Sequence, residues 1–183
     1  MAGVFRAAVL TQKGIALLAK AQAGQCTIKL TKAETGSGDH EENENLELLE
    51  ALKEKQQEFK LETVTTQNET NVYVKFIITN KQDSGNLDHG YYVREVGIFA
   101  EDPDEGVILY AVAAGVKDQW DYMPAYNDLL PSTITVDFLT EVANAENTTI
   151  EAPNHMYLYD QTTGTKYILG VDKGLMYYEE VTE

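Results

Sequence analysis

Two segments in the first sixty residues carry hydrophobic positions at the spacing of α-helices. Thr11 is a favourable N-cap residue and Gly24 suits a helix end, so the apolar pattern between them predicts a helix at about 12–23. A second helix is predicted at about 45–59, where glutamates lie outside an apolar stripe formed by Leu48, Leu49, Leu52 and Phe59.

Between and after these helices, the hydrophobic pattern has the period of two that is typical of β-strands. Residues 26–31 alternate and predict a strand, and a polar surface loop is predicted at 33–45. Residues 61–67 form a polar, threonine-rich strand candidate. A stronger strand is predicted at 71–79, where one face carries Val72, Val74, Phe76 and Ile78.

A β-hairpin is the clearest local prediction. Residues 91–100 and 107–114 flank the turn Glu-Asp-Pro-Asp-Glu-Gly, and the second arm is apolar on both faces, as in a central strand. Residues 132–140 predict another strand. Consecutive strands without intervening helices pair antiparallel, so the expected fold class is α+β, with two N-terminal helices packed on an antiparallel sheet.

The C-terminal segment differs in composition, because tyrosines are concentrated there. Three short strands predict a small β-meander, at 156–160, 165–171 and 175–181. We therefore expect an α+β domain at 1–150, followed by a tyrosine-rich appendage at 151–183. A unit of two or three strands is marginally stable alone, so the appendage is expected to pack on the main domain or on another subunit.

Composition and charge narrow the class of protein. The chain has 183 residues, of which 43% are hydrophobic, and this composition is typical of a globular protein. Its net charge of −16 repels nucleic acid. No apolar run reaches the length of a membrane span, so we expect no membrane insertion. Cys26 is the one cysteine, and no signal peptide is recognised, so cytoplasmic synthesis is expected.

The charge is unevenly distributed along the chain. Residues 1–32 contain five basic residues and no acidic residue, whereas the rest of the chain carries a net charge of −21. Two interpretations remain open: these basic residues pair with acids of the same chain, or they form a surface that docks on a partner. The docking candidates are Arg6, Lys13, Lys20, Lys29 and Lys32.

No catalytic, metal-binding or nucleotide-binding motif stands out. The histidines lack metal-ligand spacing relative to one another: His40, His89 and His155. The glycine-rich segment 35–38 has no following lysine, so it predicts a loop rather than a phosphate site. The Asp102-x-Asp104 pair lacks the pattern of a calcium loop and predicts a hairpin turn. We therefore expect no enzyme activity, no cofactor and no metal.

Three aromatic residues are the candidates for ligand contact. Trp120, Tyr122 and Tyr126 lie close together in sequence, and aromatic faces can stack on sugars. This pattern allows a receptor- or glycan-binding module. The alternative is that the three side chains pack the segment 115–131 onto the sheet.

The segment 94–110, Arg-Glu-Val-Gly-Ile-Phe-Ala-Glu-Asp-Pro-Asp-Glu-Gly-Val-Ile-Leu-Tyr, resembles the hairpin of the phage tail-collar fibre family. Further matching pieces follow the order expected for that family, at 10–20, 28–38, 121–124, 134–138 and 142–145. The resemblance covers about residues 1–150. Its family-like hairpin residues are Arg94, Glu95, Gly97, Phe99, Asp102, Pro103, Asp104, Gly106 and Tyr110.

The resemblance implies a structural protein of a phage tail or phage-tail-like particle. Such a protein attaches a fibre or receptor-binding module to the baseplate by protein–protein docking. The implied partners are baseplate or other tail proteins, a fibre or receptor-binding protein, and further copies of the chain, with a trimer expected from the likeness to fibres. The implied location is the virion tail, after synthesis in the bacterial cytoplasm. A receptor- or glycan-binding module of the tail is the alternative.

Overall fold

The chain forms two compact units, Met1–Ala152 and Pro153–Glu183, named here the main unit and the C-terminal unit. A computed structural model describes residues 3–67, 71–82, 85–141, 150–151, 156–159, 162–163, 166–172 and 175–180. Residues 142–145 and His155 lie outside this part of the chain. The division into a domain at 1–150 and an appendage at 151–183 that packs on another surface stays a prediction.

Strands make up most of the secondary structure. The helix α1 spans Gln12–Gln22, and a short 3₁₀ turn spans Leu46–Leu48. The strands are β1 (Val9–Leu10), β2 (Ile28–Gly36), β3 (Lys55–Phe59), β4 (Thr63–Gln67), β5 (Asn71–Thr79), β6 (Lys81–Gln82), β7 (Gly85–Asn86), β8 (Tyr91–Val93), β9 (Glu95–Asp102), β10 (Gly106–Ala114), β11 (Asp121–Met123), β12 (Thr133–Glu141), β13 (Ile150–Glu151), β14 (Met156–Tyr159), β15 (Lys166–Asp172) and β16 (Leu175–Glu180).

Local sequence signals account for helix α1. The Thr11 hydroxyl accepts a hydrogen bond from the backbone N–H of Gly14 at 3.0 Å, which caps the first turn. Gly14 also lies against the carbonyl oxygen of Tyr110, where any Cβ atom would collide. Gly24, with a φ of +71°, follows the helix end. The helix predicted at 12–23 is therefore confirmed, and its buried side chains are Leu17, Leu18 and Ala21.

Two sheets build the main unit. The larger sheet has the order β1-β10-β9-β2-β13, with β3 also paired to β2, and all its pairs are antiparallel except β13 with β2. The smaller sheet has the order β12-β5-β4, and two-stranded ribbons are formed by β8 with β11 and by β6 with β7. The C-terminal unit contains the antiparallel sheet β14-β15-β16.

The main core combines buried side chains from α1 and from both sheets of the main unit. On β5, the predicted inward face is confirmed, because these four side chains are buried: Val72, Val74, Phe76 and Ile78. A second, smaller cluster forms where Leu46 and Leu52 pack with Phe99 and Leu109 of the hairpin. Strand β10 pairs with β1 at one edge and with β9 at the other, so it is a central strand, as its apolar sequence predicts.

The predicted α+β fold class, with two N-terminal helices on a sheet, is wrong. The described part of the chain is mostly β and contains the single α-helix α1. The segment 45–59, predicted to be the second helix, contains the 3₁₀ turn and then strand β3. In β3, Gln57 and Phe59 are buried, whereas Gln56 and Glu58 are exposed. The leucines of this segment gave a helical pattern, but its second half has the period of a strand.

The physical reason for this error is a competition for backbone hydrogen bonds. The amides of Lys53 and Glu54 donate to the side chain of Glu95, so they are not used in the i→i−4 bonds of a helix. Strand β3 then pairs with the C-terminal half of β2, where Ala33 lies opposite Phe59.

Other element boundaries also differ from the predictions. Strand β2 continues to Gly36, into the loop predicted at 33–45, because its last residues pair with both β9 and β3. The predicted hairpin arm 91–100 is interrupted at Arg94, since β8 pairs with β11 and β9 pairs with β10. The hairpin itself is confirmed, as are the strands predicted at 61–67, 71–79 and 132–140. Strands β14, β15 and β16 match the predicted meander strands within one residue.

The burial of Phe76 gives a direct test of the main core. Phe76→Ala removes a fully buried ring that contacts Phe59, with ring centroids 6.2 Å apart. We expect the free energy of unfolding to fall by about 3–5 kcal/mol in urea denaturation. Leu139→Ala, at a half-exposed position on β12, is the control and should cost less than about 1 kcal/mol. Equal losses in both variants would contradict the described core.

Candidate functional site

Glu95, the first residue of β9 in the hairpin, carries a buried carboxylate. Glu95 is fully buried, and its oxygens accept backbone N–H bonds from Gly38 at 3.0 Å, Lys53 at 3.0 Å and Glu54 at 2.8 Å. The Nε2 atom of His40 lies 2.9 Å from the same carboxylate. We call these five residues the Glu95 lock, because one side chain joins β9 to two separate parts of the loop between β2 and β3.

The electrostatics of the lock favour the charged form of Glu95. Burial alone would raise the pKa of this carboxyl group, since the ionised form loses its hydration. The hydrogen bonds from His40 and from the three backbone amides outweigh burial, so the pKa of Glu95 lies below its ordinary value of 4.5. The carboxylate is therefore ionised at neutral pH although it is buried.

Two glycines make room for this carboxylate. A Cβ atom on Gly36 or Gly38 would collide with Oε1 of Glu95. The glycine-rich segment 35–38 was predicted to be a loop rather than a phosphate site. In the structure, its Gly38 amide binds an anion that belongs to the protein itself, the Glu95 carboxylate.

A second carboxylate organises the turn of the hairpin. Asp102 is buried, and its Oδ1 accepts the backbone N–H groups of Asp104 at 2.8 Å and Glu105 at 3.1 Å. Lys20, in the last turn of α1, places its Nζ 2.8 Å from Asp102 and 2.8 Å from Asp104. Gly106 completes the turn with a φ of +78°. The prediction of a hairpin turn at Asp102-x-Asp104 is confirmed.

Three further family-like hairpin residues are packed in the interior, whereas Pro103 is exposed in the turn and Arg94 is half-buried. Tyr110 is fully buried, and its carbonyl oxygen accepts the N–H of Thr11 at 3.0 Å, directly before α1. Gly97 leaves space for Leu109, which a Cβ atom would push away. Phe99 is buried in the smaller cluster. These contacts give Tyr110, Gly97 and Phe99 a role in the packing of the fold.

The five basic docking candidates all have partners within the chain. Arg6 donates to the carbonyl oxygens of Glu41 and Glu42, and Lys29 lies 3.2 Å from Glu101. The others form ion pairs as follows: Lys13 with Glu105 at 2.9 Å, Lys20 with Asp102 and Asp104, and Lys32 with Glu34 and Glu58 at 2.8 Å. The intramolecular interpretation accounts for these charges, and their docking role stays a prediction.

The structure brings two of the three candidate ligand aromatics together. Tyr92 lies opposite Tyr122 in the β8–β11 ribbon, and the centroids of these two rings are 5.1 Å apart. The centroid of the Tyr92 ring also lies 6.3 Å from that of Trp120. The guanidinium of Arg94 lies 4.3 Å from the centre of the Trp120 ring. We call Tyr92, Arg94, Trp120 and Tyr122 the aromatic cluster. Tyr126 is not part of it and instead lies 5.5 Å from the Nζ of Lys81.

Sequence reasoning missed several residues of these sites. Tyr92 joins the aromatic cluster only through the register of the β8–β11 ribbon, which the sequence pattern does not give. His40 and Lys53 lie far from Glu95 in sequence, so no local spacing marks them. The spacing of Gly36 and Gly38 was the one visible signal, and it indicates a close approach of some atom to the backbone.

Within the described residues, no group of three or more histidine, cysteine or acidic side chains is arranged to hold a metal ion. The same part of the chain has no helix with the length and apolar character of a membrane-spanning segment.

Comparison with known proteins identifies the class. Residues 1–176 match the family model of the phage tail-collar fibre protein, N-terminal. The match covers the hairpin with both carboxylates and extends beyond the 1–150 region of the sequence resemblance. No curated protein and no solved structure matches the chain.

The chain belongs to the phage tail-collar fibre protein N-terminal family. It is a structural protein of a phage tail, and its place is the virion tail. Interaction with other tail proteins follows from this family, and the assignment favours a structural rather than an enzymatic role.

Substitution of Glu95 tests how much its carboxylate contributes to the free energy of unfolding. Glu95→Gln keeps the shape but places an amide N–H₂ among backbone N–H donors and removes the buried charge. We expect the free energy of unfolding to fall by about 3 kcal/mol or more in urea denaturation. Glu101→Gln, at an exposed ion pair with Lys29, is the matched control and should change it by less than about 1 kcal/mol.

The lowered pKa of Glu95 also predicts a pH dependence. A carboxyl group with a lowered pKa stabilises the folded state above its unfolded pKa, and that contribution is lost as the pH falls through the folded pKa. We therefore expect the free energy of unfolding to decrease on acidification below about pH 4.5. In Glu95→Gln the decrease should be smaller. Parallel pH profiles for the two proteins would contradict the assigned charge state.

Proposed function

We propose that the protein attaches a fibre or a receptor-binding module to the baseplate by protein–protein docking. The observation that carries this proposal is the family match, which spans the main unit and most of the C-terminal unit. In this proposal the main unit binds the tail and the C-terminal unit binds the fibre.

Strand β12 offers the main unit a docking edge. It has nine residues and pairs with β5 on one side, and its other edge has no strand partner in the described part of the chain. Its sequence, Thr-Ile-Thr-Val-Asp-Phe-Leu-Thr-Glu, is rich in residues that favour strands. A long unpaired edge of this kind accepts a strand from a partner.

The basic residues are a weaker candidate for docking. Lys13, Lys20 and Lys32 each lie within 3 Å of an acid of the same chain, so a partner would have to displace those acids. The Lys20 pair also supports the hairpin turn through Asp102. We therefore propose β12 rather than the basic residues as the surface for the baseplate.

The C-terminal unit supports the other half of the proposal. Its sheet β14-β15-β16 has two edge strands, and a three-stranded unit gains stability from a further surface. Strand addition at either edge would join this unit to a fibre or to a neighbouring subunit.

A glycan-binding role has less support from the geometry. Neighbouring rings of the aromatic cluster are inclined by 57° and 58°, so they do not form one flat face for a sugar. Trp120 already packs against Gly115 and under the Arg94 guanidinium. We therefore do not propose this role as a second function.

Lysines on the proposed docking edge test the attachment function. Thr133→Lys/Thr135→Lys places two charges at exposed positions of β12, which opposes strand addition. We expect incorporation into tails assembled in producing cells to fall by at least about tenfold, as measured by quantitative mass spectrometry of purified tails.

The matched control is Thr63→Lys/Thr65→Lys, at exposed positions on β4, the opposite edge of the same sheet. This variant should incorporate normally, and both variants should retain the circular dichroism spectrum and melting behaviour of the parent. Normal incorporation of the β12 variant would contradict docking through this edge. Absence of the parent chain from purified tails would contradict attachment itself.

A further inference from the structure

The aromatic cluster has the composition of a protein-binding surface. Tyr92 is 48% exposed and Tyr122 is 53% exposed, although both are large and partly apolar. Tyrosine, tryptophan and arginine are the residue types enriched at energetically important positions of protein interfaces. A Cβ atom on Gly90 would collide with Tyr122, so the hydroxyl end of this ring lies against the backbone of Gly90.

The positive charge of this cluster comes from Arg94, which is half-buried. In a chain with a net charge of −16, Arg94 forms no ion pair with any carboxylate of the described residues. Its guanidinium lies instead over the rings of Trp120, at 4.3 Å, and Tyr92, at 5.9 Å. A ligand for this cluster should therefore combine apolar side chains with a negative charge.

One exposed segment of the same chain has this chemistry. Asp128, Leu129 and Leu130, named here the apolar tip, follow each other in the loop after β11. Leu129 is 78% exposed and Leu130 is 80% exposed, the highest values among the large hydrophobic side chains that the structure describes. Both side chains lie outside the two hydrophobic clusters of the described residues.

Hydrogen bonds to the Asn80 side chain hold both ends of the loop that carries the apolar tip. Asn80 is buried, and its side chain donates to the carbonyl oxygen of Pro124 at 3.1 Å and accepts the N–H of Ser132 at 2.8 Å. These two bonds lie on either side of the tip. Asn127 accepts the N–H of Leu129 at 3.2 Å. The fold therefore fixes both ends of the loop that displays the two leucines.

We propose that the apolar tip of one copy of this chain binds the aromatic cluster of a second copy. Leu129 and Leu130 would cover the exposed rings of Tyr92 and Tyr122, and Asp128 would approach the unpaired Arg94 guanidinium. The contact joins two different surfaces, so it is heterologous and repeats from copy to copy until a ring closes. This assembly goes beyond the attachment function and does not depend on β12.

Sedimentation velocity of the purified full chain tests the contact. We expect species larger than the 20.4 kDa monomer at protein concentrations on the order of 100 µM, because a two-leucine contact is small and its affinity is modest. Leu130→Asp should be monomeric, since it places a charge at the centre of the contact. Asp128→Asn keeps a residue type that tolerates the φ of +61° there, and should weaken association by about fivefold.

The matched control is Leu48→Asp, which makes the same exchange at a 59% exposed leucine outside both surfaces. This variant should associate like the parent. A parent chain that stays monomeric, or a Leu130→Asp variant that associates normally, would overturn the proposal.

Mixing two variants distinguishes a heterologous contact from a symmetric one. Leu130→Asp keeps an intact aromatic cluster, and Tyr122→Ser keeps an intact apolar tip. Each should be monomeric alone, and an equimolar mixture should form a 1:1 dimer that grows no further. A mixture that stays monomeric, with both variants folded by circular dichroism, would overturn the heterologous contact.

The fluorescence of Trp120, the one tryptophan of the chain, reports on the cluster directly. We expect an emission change with protein concentration in the parent chain and none in Leu130→Asp. Soluble cell-wall oligosaccharides should not change the emission of Leu130→Asp. A saturable response to these sugars would overturn self-contact in favour of a glycan site.

Discussion

The hydrogen bonds to Glu95 are the constraint on which the rest of the main unit depends. A buried carboxylate is costly unless its charge is matched by donors, and here three backbone amides and a histidine supply them. This requirement fixes the path of the loop between β2 and β3. It also explains why β2 ends in glycine, why the segment after the 3₁₀ turn is not helical, and why β3 reaches the edge of β2.

Local signals were enough to predict several elements from the sequence. The Thr11 cap and Gly24 end define α1, the turn around Asp102 defines the hairpin, and strict alternation defines β5 and β12. In each case the deciding contacts lie within one element or its neighbour. The family resemblance rested on the same hairpin, and the family match confirmed it.

Long-range contacts explain what the sequence could not show. The stripe at 45–59 suits a helix, but Glu95, about forty residues later, takes the amides that a helix would need. The aromatic cluster depends on the β8–β11 register, so Tyr92 was missed and Tyr126 was grouped with residues it does not contact. The basic segment at 1–32 was visible as a charge pattern, but only the fold shows which acid each lysine meets.

The short turn between β9 and β10 has a consequence for the order in which the chain folds. Closing this hairpin requires only three intervening residues, whereas pairing β9 with β2 encloses about sixty, and loop-closure entropy grows with length. We therefore expect the hairpin to form early. The Glu95 carboxylate at its base would then stay exposed to solvent until the distant backbone amides bind it. The carboxylate remains hydrated until the loop between β2 and β3 reaches it. The free energy needed to desolvate the carboxylate therefore enters in the last steps of folding. The residue that fixes the native loop would then contribute mainly to the slowness of unfolding rather than to the speed of folding.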